Sequence, residues 1–302
     1  MKRKIYLYIW MCLLAGVVAS CKEDALNEES IFVGSVEQQN DFDRWLVKNY
    51  LDPYNLDFKY RMDKIESDAS YNLVPVDFHI AVRLAKIVKH VWFEAYDEAA
   101  GINFTRKYAP KMIHLIGSGQ WNPAAGTLTL GYAEGGLKVT LTCSNWLNPA
   151  DIPLMNEYYF KTMHHEFAHI LHQNIDYPTE YADLSKGHYS PSGWANRKTM
   201  AEYAPFGYVT AYGSSQPGED IAEVTTCYLT WTKAQWDELK KGSKIEKEGQ
   251  PTVDGWPIIE KKIEIVKKYM KEHFGIDMEQ LRQIIERRCN EIPELDLDDL
   301  SN

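Results

Sequence analysis

From Val74 to about Gly101 the chain reads VPVDFHIAVRLAKIVKHVWFEAYDEAAG, with apolar residues recurring at i, i+3 and i+4. That spacing predicts an amphipathic helix. A shorter stretch of the same period, DFDRWLVKNYLDPYN, starts near Asp41, where an N-cap candidate is available, and Pro53 is expected to stop it. LDFKYRM, which follows, has strand character. The period changes over residues 105 to 145. KMIHLIGSG, TLTLGYAEG and LKVTLTCSN are short runs rich in branched residues and broken by Gly and Asn, which predicts a small sheet with a hairpin. The GSG within them reads as a turn rather than a phosphate cradle. NPADIPLMNEYYFKTMHHEFAHILHQN returns to the helical period for about 22 residues. Residues 174 to 208 are loop-rich, punctuated by Pro178, Gly187, Pro191, Gly193, Pro205 and Gly207. The C-terminal third is helical again, in GWPIIEKKIEIVKKYMKEHFG and DMEQLRQIIERRCNEI. The fold class is therefore α+β and predominantly helical. A sheet-containing part is expected over about 41–160 and a helical lobe over about 150–302, with no internal repeat.

Composition changes this picture little: 45% hydrophobic and 25% charged residues describe an ordinary globular chain of 302 residues. Aromatic residues make up 13%, which suits a wide groove or a polymer substrate as well as a packed core. The N-terminus does change it. MKRK is a basic region, IYLYIWMCLLAGVV an apolar one too short to span a bilayer comfortably, and VASC closes it with small residues. Residues 1–20 are thus expected to be a signal peptide. Val18-Ala19-Ser20-Cys21 resembles the lipobox of bacterial lipoproteins, which implies a lipidated Cys21 and an outer-membrane anchor without a transmembrane helix. Lys22-Glu23-Asp24 resembles the surface-export signal of some gut anaerobes' lipoproteins, so the expected location is the cell surface. Residues 21–40 are polar and acidic and read as a tether. The net charge of -10 becomes more negative when Lys2, Arg3 and Lys4 are removed, which argues against nucleic acid as a partner. Beyond Cys12 and Cys21, the odd set Cys143, Cys227 and Cys289 implies no disulfide framework.

The chemistry is concentrated in KTMHHEFAHILHQ, residues 161 to 173. His165-Glu166-Phe167-Ala168-His169 is HExxH inside a predicted helix, the context that motif requires. A spacing of four puts His165 and His169 on one face, where both imidazoles can reach a single Zn²⁺, and sets Glu166 beside them to take a proton. His164 points about 100° away from His165 and is expected on the far face. His172 lies on roughly the ligand stripe, but the helix rise carries it away, so a supporting or packing role is expected. A metzincin pattern would need Gly at position 172 and His or Asp at 175, where this chain has His172 and Ile175.

The third ligand must come from farther along. In YGSSQPGEDIAE, Pro217-Gly218 is a turn and Glu219 and Glu223 follow four apart on one helical face. Glu219 would reach zinc, and Glu223 the ring N–H of a ligating histidine. Acidic residues also favour the first turn of any helix, and Asp176, His188 and Glu202 remain competing ligands.

A glutamate ligand within E-x-x-x-E, preceded seven residues earlier by a tyrosine, is similar to the anthrax lethal factor-type zinc peptidases, a gluzincin branch. Over the mature chain, with its lipobox and the YLDPYN helix end, the sequence resembles the substrate import-associated zinc metallohydrolase lipoproteins. The resemblance implies a zincin-like fold with a small mixed sheet packed on the HExxH helix, and one Zn²⁺ held by His165, His169 and Glu219. It implies Glu166 as general base and Tyr212 as the oxyanion-stabilising tyrosine, with Tyr208 the alternative in a shifted register. It also implies a TonB-dependent importer and its partner lipoprotein as partners. Residues 136 to 142, GLKVTLT, are the candidate edge strand for an extended peptide. The expected function is a membrane-anchored zinc metallopeptidase acting on protein, peptide or glycoprotein. The alternative is a non-catalytic zinc lipoprotein that captures substrate, and a third reading is hydrolysis of a non-peptide amide or ester. Glu166 favours the enzyme, because a structural zinc site needs no general base.

Overall fold

A computed structural model describes residues 39–301 apart from 63–67, 69, 124–125, 247 and 250. The expected signal peptide, the lipobox with Cys21 and the tether up to residue 38 lie outside the described residues. Helix α1 opens at Asn40, whose side chain accepts from Asp43 N–H while Asp43 caps the Asn40 N–H in return. It runs through Asp41–Leu46, a π-helical Val47–Leu51 and Asp52–Tyr54. Pro53 does not stop it. The chain leaves the helix at Asn55, whose left-handed backbone (φ 53°) is a conformation that Asn tolerates.

Helix α2 is the predicted amphipathic helix, capped by Asp77 and running through Phe78–Val88, a π-helical Lys89–Phe93 and Glu94–Ala100. Gly101 then turns the chain at φ 84° into α3, Ile102–Tyr108. This helix replaces the strand character expected from residue 105. Phe104 and Tyr108, one turn apart, pack on Phe274 at ring distances of 6.1 and 5.3 Å.

The main sheet has four strands in the order β1 (Asp57–Lys59), β2 (Met112–Leu115), β6 (Lys138–Leu141) and β5 (Gly131–Glu134). The first three are parallel and β5 runs antiparallel to β6, so the sheet is mixed as expected. A separate hairpin joins β3 (Gln120–Asn122) to β4 (Thr127–Thr129). The candidate edge at 136–142 is corrected: β6 pairs with β2 on one side and β5 on the other, and buries Val139 and Leu141. The strand at that edge of the sheet is β5.

Helix α4 runs through Ile152–Met155, a π-helical Asn156–Phe160 and Lys161–Asn174, with Asp151 accepting from Leu154 N–H at its start. Its inner face carries Phe167, which meets Trp92 at 5.8 Å and Tyr96 at 4.7 Å. Burying a side chain of that size contributes ~1.5–3 kcal/mol. The outer face meets β5. A Cβ on Gly131 would lie 2.5 Å from Thr162 Cγ2 and 2.7 Å from the Thr140 carbonyl oxygen, so only glycine lets the strand come this close to α4. After the short α5 (Thr179–Asp183) and several 3₁₀ turns, the C-terminal lobe comprises α6 (Pro217–Thr230), α7 (Lys233–Gly242), α8 (Trp256–Phe274) and α9 (Met278–Glu291). A two-stranded ribbon, β7 (Lys244–Ile245) with β8 (Val253–Asp254), joins α7 to α8. Cys143, Cys227 and Cys289 are free and buried.

Candidate metal centre

The helical period of α4 sets His165 and His169 one turn apart on the face that α6 covers. Pro217 opens α6 at its first position and Glu219 follows in the first turn, where the helix dipole favours a carboxylate. The three side chains converge. The His165 and His169 Nε2 atoms are 3.0 Å apart, and Glu219 Oε2 lies 3.0 Å from each. Donors bound at about 2.0 Å on a tetrahedral ion lie roughly 3.3 Å from one another, so two imidazoles and a carboxylate at this spacing fit zinc. Among the described residues this is the group of three acidic, histidine or cysteine side chains close enough to share an ion.

The outer contacts hold the donors in place. His165 Nδ1 lies 2.8 Å from Glu223 Oε1. The other Glu223 oxygen accepts from Thr210 Oγ1 at 2.7 Å and meets Lys161 Nζ at 2.9 Å. Burial would push both glutamates up. For Glu219 the hydrogen bonds to His165 and His169 outweigh it, and for Glu223 the Lys161 charge and the His165 contact do, so both carboxyls lie well below the ordinary range. Burial pulls His165 down, but these two carboxylates push it up to about 10. His164, one residue away, faces the core with its Nδ1 3.3 Å from Tyr96 Oη, and burial pulls it down to about 3. It takes no part in the cluster.

Glu166 sits beside the triangle and accepts a hydrogen bond from the backbone of Ala133 on β5. Burial raises its carboxyl above the ordinary value, outweighing the pull of His165 and His169. The Tyr212 ring lies 5.8 Å from that of His165, and its hydroxyl is hydrogen-bonded to Glu219. Burial and the Glu219 charge raise its pKa, so it keeps its proton at neutral pH. Trp194 packs edge-on against it at 4.8 Å. Tyr208, the alternative, is fully buried and donates to the Ser185 carbonyl, so the cleft tyrosine is Tyr212. His165, Glu166, His169, Tyr212 and Glu219 line a cleft of about 920 Å³ together with Trp194 and residues of β4 and β5.

The competing ligands lie elsewhere. Glu202 accepts from the Lys198 and Thr199 backbone, His188 stacks on Phe206, and Asp176 is exposed. Sequence reasoning passed over Lys161, although its position four residues before His165 puts it on the same helical stripe. Thr210 and Ala133 carry no sequence signal for their contacts.

Residues 35–279 match the protein family described as "Putative zinc-binding metallo-peptidase". The chain belongs to that family. A crystal structure described as a "putative zinc-binding metallo-peptidase" from Bacteroides caccae is 57% identical to this metallopeptidase-family chain. It covers 90% of this chain and 100% of its own, with a TM-score of 0.75. No curated protein matches the chain. The metal of the family is zinc, and the α+β, mainly helical architecture is that of a zincin-like metallopeptidase.

Proposed function

We propose that the chain is a gluzincin-type zinc peptidase, held on the outer membrane through a lipidated Cys21, that cuts extended polypeptide at the cell surface in support of nutrient import. The observation that carries the catalytic part is Glu166: a buried carboxylate beside the three-donor triangle and tied to strand β5. His165, His169 and Glu219 would hold the zinc, which would supply Lewis acidity toward water and a substrate carbonyl. Glu166 takes the proton from the attacking water and delivers it to the leaving amine nitrogen. Tyr212 donates its O–H to the carbonyl oxygen as negative charge develops there. Glu223, itself held by Lys161 and Thr210, fixes the His165 ring with its Nε2 toward the metal. Substrate lies along β5, the edge strand of the sheet, and pairs with backbone groups other than the Ala133 N–H that Glu166 holds, so side-chain selectivity falls to the cleft walls.

Anchoring rests on the Val18–Cys21 pattern, and service to a TonB-dependent importer and its partner lipoprotein on the resemblance of the chain to import-associated lipoproteins. The test incubates purified residues 22–302 with a diverse peptide mixture read by mass spectrometry. Cleavage is expected, with Glu166→Gln keeping zinc but losing roughly 10²- to 10⁴-fold in rate. An unimpaired Glu166→Gln variant would remove Glu166 as the base. No cleavage by a zinc-loaded protein would favour the substrate-capture reading.

A further inference from the structure

The two histidines of the triangle are supported unequally. His165 turns its outer nitrogen to a carboxylate, Glu223, at 2.8 Å. His169 turns its Nδ1 to another imidazole, with His172 Nε2 at 2.8 Å. A histidine that binds a metal through Nε2 carries its proton on Nδ1 and needs an acceptor there. The acceptor nitrogen must then be bare, which assigns His172 the tautomer with its proton on Nδ1. Two sides of the His172 ring are defined. Tyr177 meets it edge-on at 5.5 Å and 89°, and Tyr177 in turn packs on Tyr181 at 5.9 Å, which is fully buried. On α6, a Cβ at Gly218 would come to 3.9 Å from His172 Cε1, so the helix that carries Glu219 also runs against this ring. The row from His169 through His172 and Tyr177 to Tyr181 therefore anchors one ring of the metal centre to the core.

We propose that His172 is a positioning residue, the hydrogen-bond acceptor that holds His169 in its metal-binding tautomer and orientation. This rests on the reading that His169 is a zinc ligand. It gives the third histidine of the cluster a role without ligation, and it makes the centre asymmetric, with an anionic support behind one imidazole and a neutral support behind the other.

The test measures zinc dissociation constants by chelator competition, and the visible spectrum of the Co²⁺-loaded protein, for His172→Leu, His172→Gln and His169→Ala. Leucine keeps apolar bulk without an acceptor, whereas the glutamine carbonyl can reach the place of Nε2. His172→Leu is expected to bind zinc 10- to 100-fold more weakly, the usual cost of losing such a support, and to alter the Co²⁺ spectrum. His172→Gln is expected to recover most of the affinity. Unchanged affinity in the leucine variant, or glutamine as weak as leucine, would overturn the acceptor role. Loss in His172→Leu as complete as in His169→Ala would make His172 a ligand instead. Retained binding in His169→Ala would overturn the metal-centre reading itself, which separates the two failures.

Discussion

His165 and His90 are each flanked by two glutamates, yet only one of them sits in a metal-binding arrangement. At the junction of α2 and α9, His90 Nδ1 is 3.4 Å from Glu94 and Nε2 is 3.1 Å from Glu291, much as His165 lies between Glu219 and Glu223. The difference lies in what else the carboxylates meet. Arg288 reaches Glu94 and Glu98 at 3.0 and 2.9 Å, and Arg287 reaches Glu98 and Glu291, each at 2.6 Å, so the acids there are already paired with guanidinium groups. In the cleft, Lys161 pairs with Glu223, the supporting carboxylate, while among the described residues no lysine or arginine pairs with Glu219. A second imidazole converges on Glu219 instead. Acid and histidine content alone therefore does not make a metal centre. A centre needs one carboxylate left without a cation and two nitrogens aimed at the same point.

The largest expected effect that separates the clusters is on zinc affinity. Glu223→Gln removes the anionic support of His165 and should weaken zinc binding by about 10- to 100-fold, whereas Glu291→Gln should leave it unchanged. Chelator competition on both variants reads this directly, and equal effects would erase the distinction.

A smaller effect concerns stability in acid. Burial pushes Glu94 up, but His90, Lys89 and Arg288 outweigh it and bring it down to about 2 from the ordinary 4.5. The folded value lies below the unfolded one. The contribution of Glu94 is therefore complete above about pH 4.5 and is lost as pH falls toward 2. Since the side chain is 33% exposed, only part of the ~1.4 kcal/mol per pH unit is expected. Urea unfolding at pH 3 and pH 6, with chelator present throughout, should show a shallower acid loss in Glu94→Gln than in the parent chain. Parallel profiles would show that the arginine cluster does not hold this carboxylate.

What the sequence made legible follows from periodicity. The spacing in HExxH places His165 and His169 on one face of α4 and His164 on the other, and the 3.6-residue period that shows this also marks α2, α8 and α9. Glu219 and Glu223 were legible as a pair at helical spacing, but their approach to α4 depends on tertiary packing. The strand order was not legible: β6 (KVTL) carries branched residues and β5 (GYAE) carries none, and pairing partners alone decide that β6 is internal and β5 the edge. Pro53 misled for a related reason. It forbids continuation only through its missing N–H and its ring, and α1 ends two residues beyond it at Asn55. The contacts of Thr210 and Ala133 join distant segments and leave no local pattern.

The central claim is that His165, His169 and Glu219 hold the family's zinc while the His90 cluster does not. Anomalous diffraction from crystals of the zinc-loaded protein, recorded on both sides of the zinc absorption edge, tests it most directly. The account predicts one strong peak bounded by His165 Nε2, His169 Nε2 and the Glu219 carboxylate, with none beside His90. A peak held by other side chains, or no peak within that triangle, would contradict it.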